Sequence, residues 1–194
     1  MRKLSVFLSI SVDGYFADSG GDMSWAHDRD PEFNRFVADN ASSGNELVMG
    51  RRTYDLMTAY WPTDFARRND PVMAVAMNSL PKIVFSRTMR KAVWNNTRLV
   101  ESDPVEAMRA LKREEGRDMV VLGSGRIVCL LAQAGLVDSF QFVIVPVALG
   151  AGHSVFAGIS ENLRLQPIGS RTFKNGNVVL TYVPAVAAGS RTPG

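Results

Sequence analysis

Short β-branched runs alternate with helix-start signals along the first two-thirds of the chain, and that alternation leaves few folds open. Leu4–Ser11, Glu46–Met49, Lys82–Phe85, Thr97–Val100 and Met119–Leu122 each read as a strand. Between them, Asp30-Pro31 opens a helix, with Asp30 as N-cap and Pro31 at the first helical position. Phe33, Phe36 and Val37 mark its buried face. Thr53 to Tyr60 reads as a second helix, stopped by Trp61-Pro62, and a polar loop is expected over Pro62–Pro71. Asp103-Pro104-Val105-Glu106 is a capping box that starts a third helix, whose buried side is Val105, Met108 and Leu111. Arg126 to Gly135 reads as a fourth.

The pattern changes after residue 135. Phe140–Leu149 is a long valine-rich strand, and Leu165–Phe173 with Val178–Val183 forms a hairpin turning at Asn175-Gly176. Strand–helix alternation followed by a hairpin predicts an α/β fold with a central, mostly parallel sheet, flanking helices and a C-terminal antiparallel hairpin. Residues 1–184 are expected to form this one domain, and 185–194 a flexible tail rich in Ala, Gly and Ser.

Composition narrows the function classes. With 194 residues and 46% hydrophobic content, the chain can bury a real core. Cys129 stands alone and there are two histidines, so neither an intrachain disulfide nor a zinc cluster is expected. No run approaches the roughly 18 apolar residues that span a bilayer. The first apolar stretch is interrupted by serines and closed by Asp13, so it reads as a strand of a cytoplasmic protein rather than a leader. A net charge of +3 and a pI near 9.2 hint at anionic ligands, without the basic and aromatic stripe that nucleic-acid binding requires.

Two strand-to-helix turns have the residue types that phosphate favours. In Met49-Gly50-Arg51-Arg52-Thr53, glycine permits close backbone approach, threonine offers a hydroxyl and arginine a charge, all at a helix N-terminus. Leu122-Gly123-Ser124-Gly125-Arg126 is a second such turn, although Val128 stands where a full dinucleotide fingerprint has its third glycine. Ser86-Arg87, at the end of the Lys82–Phe85 strand, adds a guanidinium able to grip a phosphate in bidentate fashion. Two such turns in one small α/β domain suggest a ligand with more than one phosphate, lying across the carboxyl ends of the strands.

These blocks carry a family resemblance. Val48-Met49-Gly50-Arg51-Arg52-Thr53-Tyr54, Pro81–Arg87 and Val121–Ile127 resemble, in order, three cofactor-binding segments of the dihydrofolate reductase family. Ser11-Val12-Asp13-Gly14-Tyr15-Phe16-Ala17 and Val145–Gly152 resemble the reductase domain of riboflavin biosynthesis, the branch to which the chain is closest. The resemblance covers roughly residues 2 to 183. It implies a three-layer α/β/α reductase fold, NADPH as cofactor and a homodimer. Phe142–Leu149 is a candidate for the dimer contact, although a core strand explains it equally well. The implied activity is NADPH-dependent hydride transfer to a heterocyclic imine or sugar carbonyl, with a ribosylaminopyrimidine phosphate as substrate. Dihydrofolate reduction and a non-catalytic nucleotide-binding module of the same fold are the alternatives.

The resemblance also assigns residues. Ser9, Phe16 and Ala17 would hold the nicotinamide end, Gly50, Arg51 and Thr53 a phosphate, Ser86 and Arg87 the 2′-phosphate, and Gly123, Ser124, Gly125, Arg126 and Ile127 the pyrophosphate. Trp25 and Tyr54 are the candidate substrate contacts, and Asp30 and Glu32 the candidate proton donors. Each carboxylate also has a structural reading, as helix N-cap and as first-turn dipole partner. The chain departs from the family at Gly123-Ser124, where a second glycine is usual, and at Val121-Leu122-Gly123, which does not match the Glu-Gly-Gly usual in the riboflavin reductases. His27 and His153 have no sequence partner that makes either a base, and Cys129 reads as a core thiol.

Overall fold

The computed structural model describes residues 1–27, 30–41 and 43–185. Among the described residues, ten strands form one eight-stranded sheet and one two-stranded ribbon. In chain order the strands are β1 (Leu4–Ser11), β2 (Tyr15–Ala17), β3 (Glu46–Gly50), β4 (Lys82–Phe85), β5 (Thr97–Val100), β6 (Met119–Leu122), β7 (Ser139–Val145), β8 (His153–Ser154), β9 (Leu165–Thr172) and β10 (Val178–Pro184). The helices are α1 (Pro31–Ala41), α2 (Arg51–Tyr60), α3 (Asp64–Asn69), α4 (Pro71–Ser79), α5 (Pro104–Arg113) and α6 (Gly125–Gln133).

The large sheet runs β5-β4-β3-β6-β1-β7-β10-β9. Its first six strands are parallel, and β10 and β9 close it antiparallel. Alternation along each strand separates two cores. Leu4, Val6 and Leu8 of β1 pack with Val48, Ile83 and Val121 against Met108 and Leu111 of α5 and Val128 and Leu131 of α6. On the opposite face, Leu47, Met49 and Val84 meet Tyr54 of α2 and Met77 of α4. Beyond β1 on that face, Val143 and Val179 meet Phe33 of α1.

The helix starts follow their sequence logic. Asp30 Oδ1 accepts the Phe33 N–H at 2.8 Å, and Asp103 Oδ1 accepts from Val105 and Glu106. At the hairpin, Gly176 takes φ +89° and its N–H bonds the Phe173 carbonyl.

Three sequence expectations need correction. The polar loop predicted over Pro62–Pro71 contains α3, capped by the Thr63 hydroxyl, and leads straight into α4 with Pro71 at its start. Those helices are short, and α4 is apolar on nearly all sides, so neither shows a clean helical period. The Phe140–Leu149 strand ends at Val145, because Pro146 has no N–H to continue the ladder and the Val147 N–H turns back to the Val145 carbonyl. Nor is Phe142–Leu149 available as a dimer contact through its strand portion. β7 is paired on both edges, with β1 and β10, and Phe142, Val143 and Val145 are buried. Of the predicted tail, residues 186–194 lie outside the described residues.

Candidate active site

One cleft of about 2270 Å³ runs across the carboxyl ends of β1, β3, β4 and β6 and on between α1, α2 and α4. A single-ligand pocket is usually about 300–1,000 Å³, so this volume has room for two molecules side by side. All of the residues assigned above to cofactor line it: Ser9, Phe16, Ala17, Gly50, Arg51, Thr53, Ser86, Arg87, Gly123, Ser124, Gly125, Arg126 and Ile127.

The two glycine turns meet there and are bonded to each other. Ser124 Oγ accepts the Gly50 N–H at 2.8 Å and lies 2.6 Å from Thr53 Oγ1. Ser124 itself is left-handed, at φ +58° and ψ +55°, an uncommon conformation for a residue with a side chain. The serine side chain is thus turned onto the neighbouring turn and its hydroxyl is bound there. Two glycines make the crossing possible. A β-carbon on Gly123 would come within 3.2 Å of the Thr53 methyl, and one on Gly125 would collide with the Phe16 ring.

Helix ends supply the local field. α1, α3 and α5 have side-chain caps, whereas α2 and α6, which open on the cleft, do not. Their N-terminal N–H groups therefore add partial positive charge to a rim of Arg51, Arg52, Arg87 and Arg126. Arg51 donates to Thr88 Oγ1 at 2.6 Å, tying the α2 turn to the β4 turn. Ser86 Oγ accepts the N–H groups of Thr88 and Met89, which shapes the turn that carries Arg87. Arg87 is largely exposed and stands 3.9 Å from Asp103, a long and easily displaced ion pair. This is a surface fitted to a polyanion.

The predicted proton donors and substrate contacts lie elsewhere. Asp30 holds the N-terminus of α1, and Glu32 pairs with Arg171 of β9 at 2.9 Å on the surface; neither lines the cleft. Tyr54 is only 2% exposed, and its hydroxyl accepts the N–H groups of Val93 and Trp94. Trp25 donates to the Asp22 carbonyl and packs against the cluster that contains Phe33, also outside the lining. Both histidines do line the cleft, His27 beside α1 and His153 from β8. In the sequence neither has a partner that makes it a base; His27 lies near the proposed substrate pocket but reads as an exposed loop histidine.

Other titratable groups have structural explanations. The Ser24 hydroxyl, with the Ser24 N–H, holds the Asp22 carboxyl below its usual range. Asp13 is lowered first by the Ser11 hydroxyl and then by the Gly150 and Leu149 N–H groups, so it ties the end of β1 to the loop after β7. Asp70 accepts the Tyr60 hydroxyl and thereby raises it. Cys129 Sγ is 3.8 Å from both Gln133 Oε1 and the Ala157 carbonyl. Among the described residues, no group of His, Cys, Asp and Glu could hold a metal ion, and no helix is long and apolar enough to cross a membrane.

A family model for the RibD C-terminal domain matches residues 2–179. The chain belongs to the RibD C-terminal domain family. It is 27% identical over 182 residues to the uncharacterized protein YyaP of Bacillus subtilis (strain 168), covering 93% of this chain and 94% of YyaP. Among solved structures, a putative riboflavin biosynthesis protein from Shewanella sp. PV-4 superposes with TM-score 0.74 at 23% identity, over 95% of this chain and 100% of that one. Enterococcus faecalis dihydrofolate reductase complexed with NADP(H) and RAB-propyl gives TM-score 0.64 at 15% identity, over 94% and 96%. These likenesses establish a dihydrofolate reductase-like fold for this RibD C-terminal domain. Of the departures seen in the sequence, Leu122, Gly123 and Ser124 all line the cleft.

Proposed function

We propose that the protein is an NADPH-dependent reductase that delivers hydride to a C=N or C=O bond of a planar substrate. The observation that carries this reading is the convergence of three separate turns, after β3, β4 and β6, on one cleft. In this reading the α2 and α6 N-termini and Gly50, Thr53, Gly123 and Gly125 hold the diphosphate. Arg87 meets the 2′-phosphate, and Ser9, Phe16 and Ala17 border the nicotinamide. Bound there, the cofactor supplies the hydride. His27, the histidine in the wall beside α1, hands over the matching proton directly or through a water.

NADPH binding followed by fluorescence, then NADPH oxidation over a substrate panel, tests the proposal. Absence of binding at micromolar protein sinks it. The panel includes dihydrofolate and a ribosylaminopyrimidine phosphate, the substrates of two reductase types that the chain resembles. A second reading, a nucleotide-binding module without turnover, draws support from the positions of Asp30 and Glu32, and binding without oxidation of any substrate would favour it. The homodimer belongs to the same proposal, and sedimentation velocity tests it.

A further inference from the structure

The cleft is chemically divided. Of its arginines, Arg51, Arg52 and Arg126 sit at the starts of α2 and α6, and Arg87 in the turn after β4. Arg51 and Arg87 lean on Thr88 and Asp103 at the β4 side, and Arg52 reaches the Gly20 carbonyl at the mouth. The other half lies between α1, the later turns of α2, and α4. Phe33 and Val37, Leu56 and Met57, and Met73 and Met77 line it, over a floor that includes Phe7 and Leu122. Toward α2 and α4 its charged lining side chain is Asp70, an anion that accepts the Tyr60 hydroxyl, and Asp22 and His27 border it near α1. The neutral polar groups are amides and hydroxyls: Gln141 lies between Asn40 at 3.3 Å and Thr181 at 3.4 Å.

We infer that this half takes an uncharged, unphosphorylated and largely apolar planar molecule. The inference rests on the reductase reading and names its substrate class. A phosphate or carboxylate entering this half would shed water with no lysine or arginine to receive it, beside the Asp70 carboxylate. Methionine and leucine walls suit a ligand that is apolar and variable in outline, because the unbranched thioether adapts to irregular shapes. The amide row along α1, β7 and β10 can orient a carbonyl or ring nitrogen without demanding charge. Leu122 extends the apolar floor to the border with the cofactor half.

The test uses Nile red, an uncharged dye that brightens in apolar sites, on the full chain saturated with NADP⁺. One saturable dye site is expected. Menadione, a neutral quinone, should displace the dye, and a ribosylaminopyrimidine phosphate should not. Leu56 is more than half exposed, so Leu56→Lys is tolerated by the fold; it should weaken dye binding at least about tenfold. Leu56→Ser, which adds no charge, should weaken it less. Displacement by the phosphorylated pyrimidine at lower concentration than by its unphosphorylated riboside would overturn the inference, as would unchanged dye affinity in Leu56→Lys. Failure of NADP⁺ to bind would defeat the reductase reading alone. The dye series without cofactor then decides the character of the groove.

Discussion

Ser124 Oγ and Thr53 Oγ1 lie 2.6 Å apart, so the turns after β3 and β6 are joined through the Ser124 hydroxyl. The same serine accepts the Gly50 N–H. Ser124→Ala therefore leaves that N–H and the Thr53 hydroxyl without their partner, at a cost of about 1–3 kcal/mol. Ser124→Gly loses the same bonds but recovers about 1 kcal/mol from the left-handed backbone. Glycine should thus be the milder change in urea denaturation, and an equal loss for both would remove backbone strain from the account.

In the proposed reading, Arg87 reads the phosphate that distinguishes NADPH from NADH. Losing a charge-assisted hydrogen bond costs roughly 1.5–3 kcal/mol. Arg87→Ala should weaken NADPH binding by one to two orders of magnitude and barely affect NADH. A parallel loss for both cofactors would take Arg87 out of that role.

Glu32 makes an exposed ion pair with Arg171, and such pairs contribute at most about 1 kcal/mol. Glu32→Gln should keep full turnover and nearly full stability. His27→Asn should lower turnover roughly 10²-fold with NADPH affinity unchanged. If the Glu32 variant is inactive and the His27 variant active, the proton comes from α1 after all.

Lys82 is completely buried at the start of β4, its ammonium 2.7 Å from the Leu80 carbonyl and 4.3 Å from the Trp94 ring centre. Burial lowers it from 10.5 to about 8, while the carbonyl and the ring oppose the shift. Between about pH 8 and 10.5 the unfolded chain holds the extra proton, so Lys82 makes stability rise as pH rises through that window. The full effect is at most about 3 kcal/mol. Denaturation of wild type and Lys82→Met at several pH values isolates it: wild type should gain on the variant between pH 8 and 10.5, and a constant difference would refute the shift.

Much of the frame was legible because its signals are local. β1, β4, β5 and β6 have the bounds that their apolar runs predicted, and Asp30 and Asp103 cap the helices they open. The three turns also lay in plain view, since each needs particular small or charged residues in sequence. What stayed hidden was settled at a distance. Tyr54 follows the glycine turn as a contact residue would, yet its ring packs inward because the N–H groups of Val93 and Trp94 need its oxygen. His153 enters the cleft wall only because β8 pairs with β2. Glu32 faces Arg171 because β9 lies beside α1, a neighbourhood that no spacing in the chain reveals.

The place of β1 in the sheet has a consequence for how the chain acquires its shape. β1 is the first strand in order, yet it lies between β6 and β7, pairing Leu4 with Met119 and Ser5 with Ser139. During synthesis its apolar residues wait, unpaired, until more than a hundred further residues have left the ribosome. Ordering that depends on such distant partners is slow and leaves a sticky strand exposed meanwhile. The interrupting serines at positions 5, 9 and 11, which on the page looked only like breaks in an apolar run, are the feature that keeps this waiting segment from being uniformly adhesive.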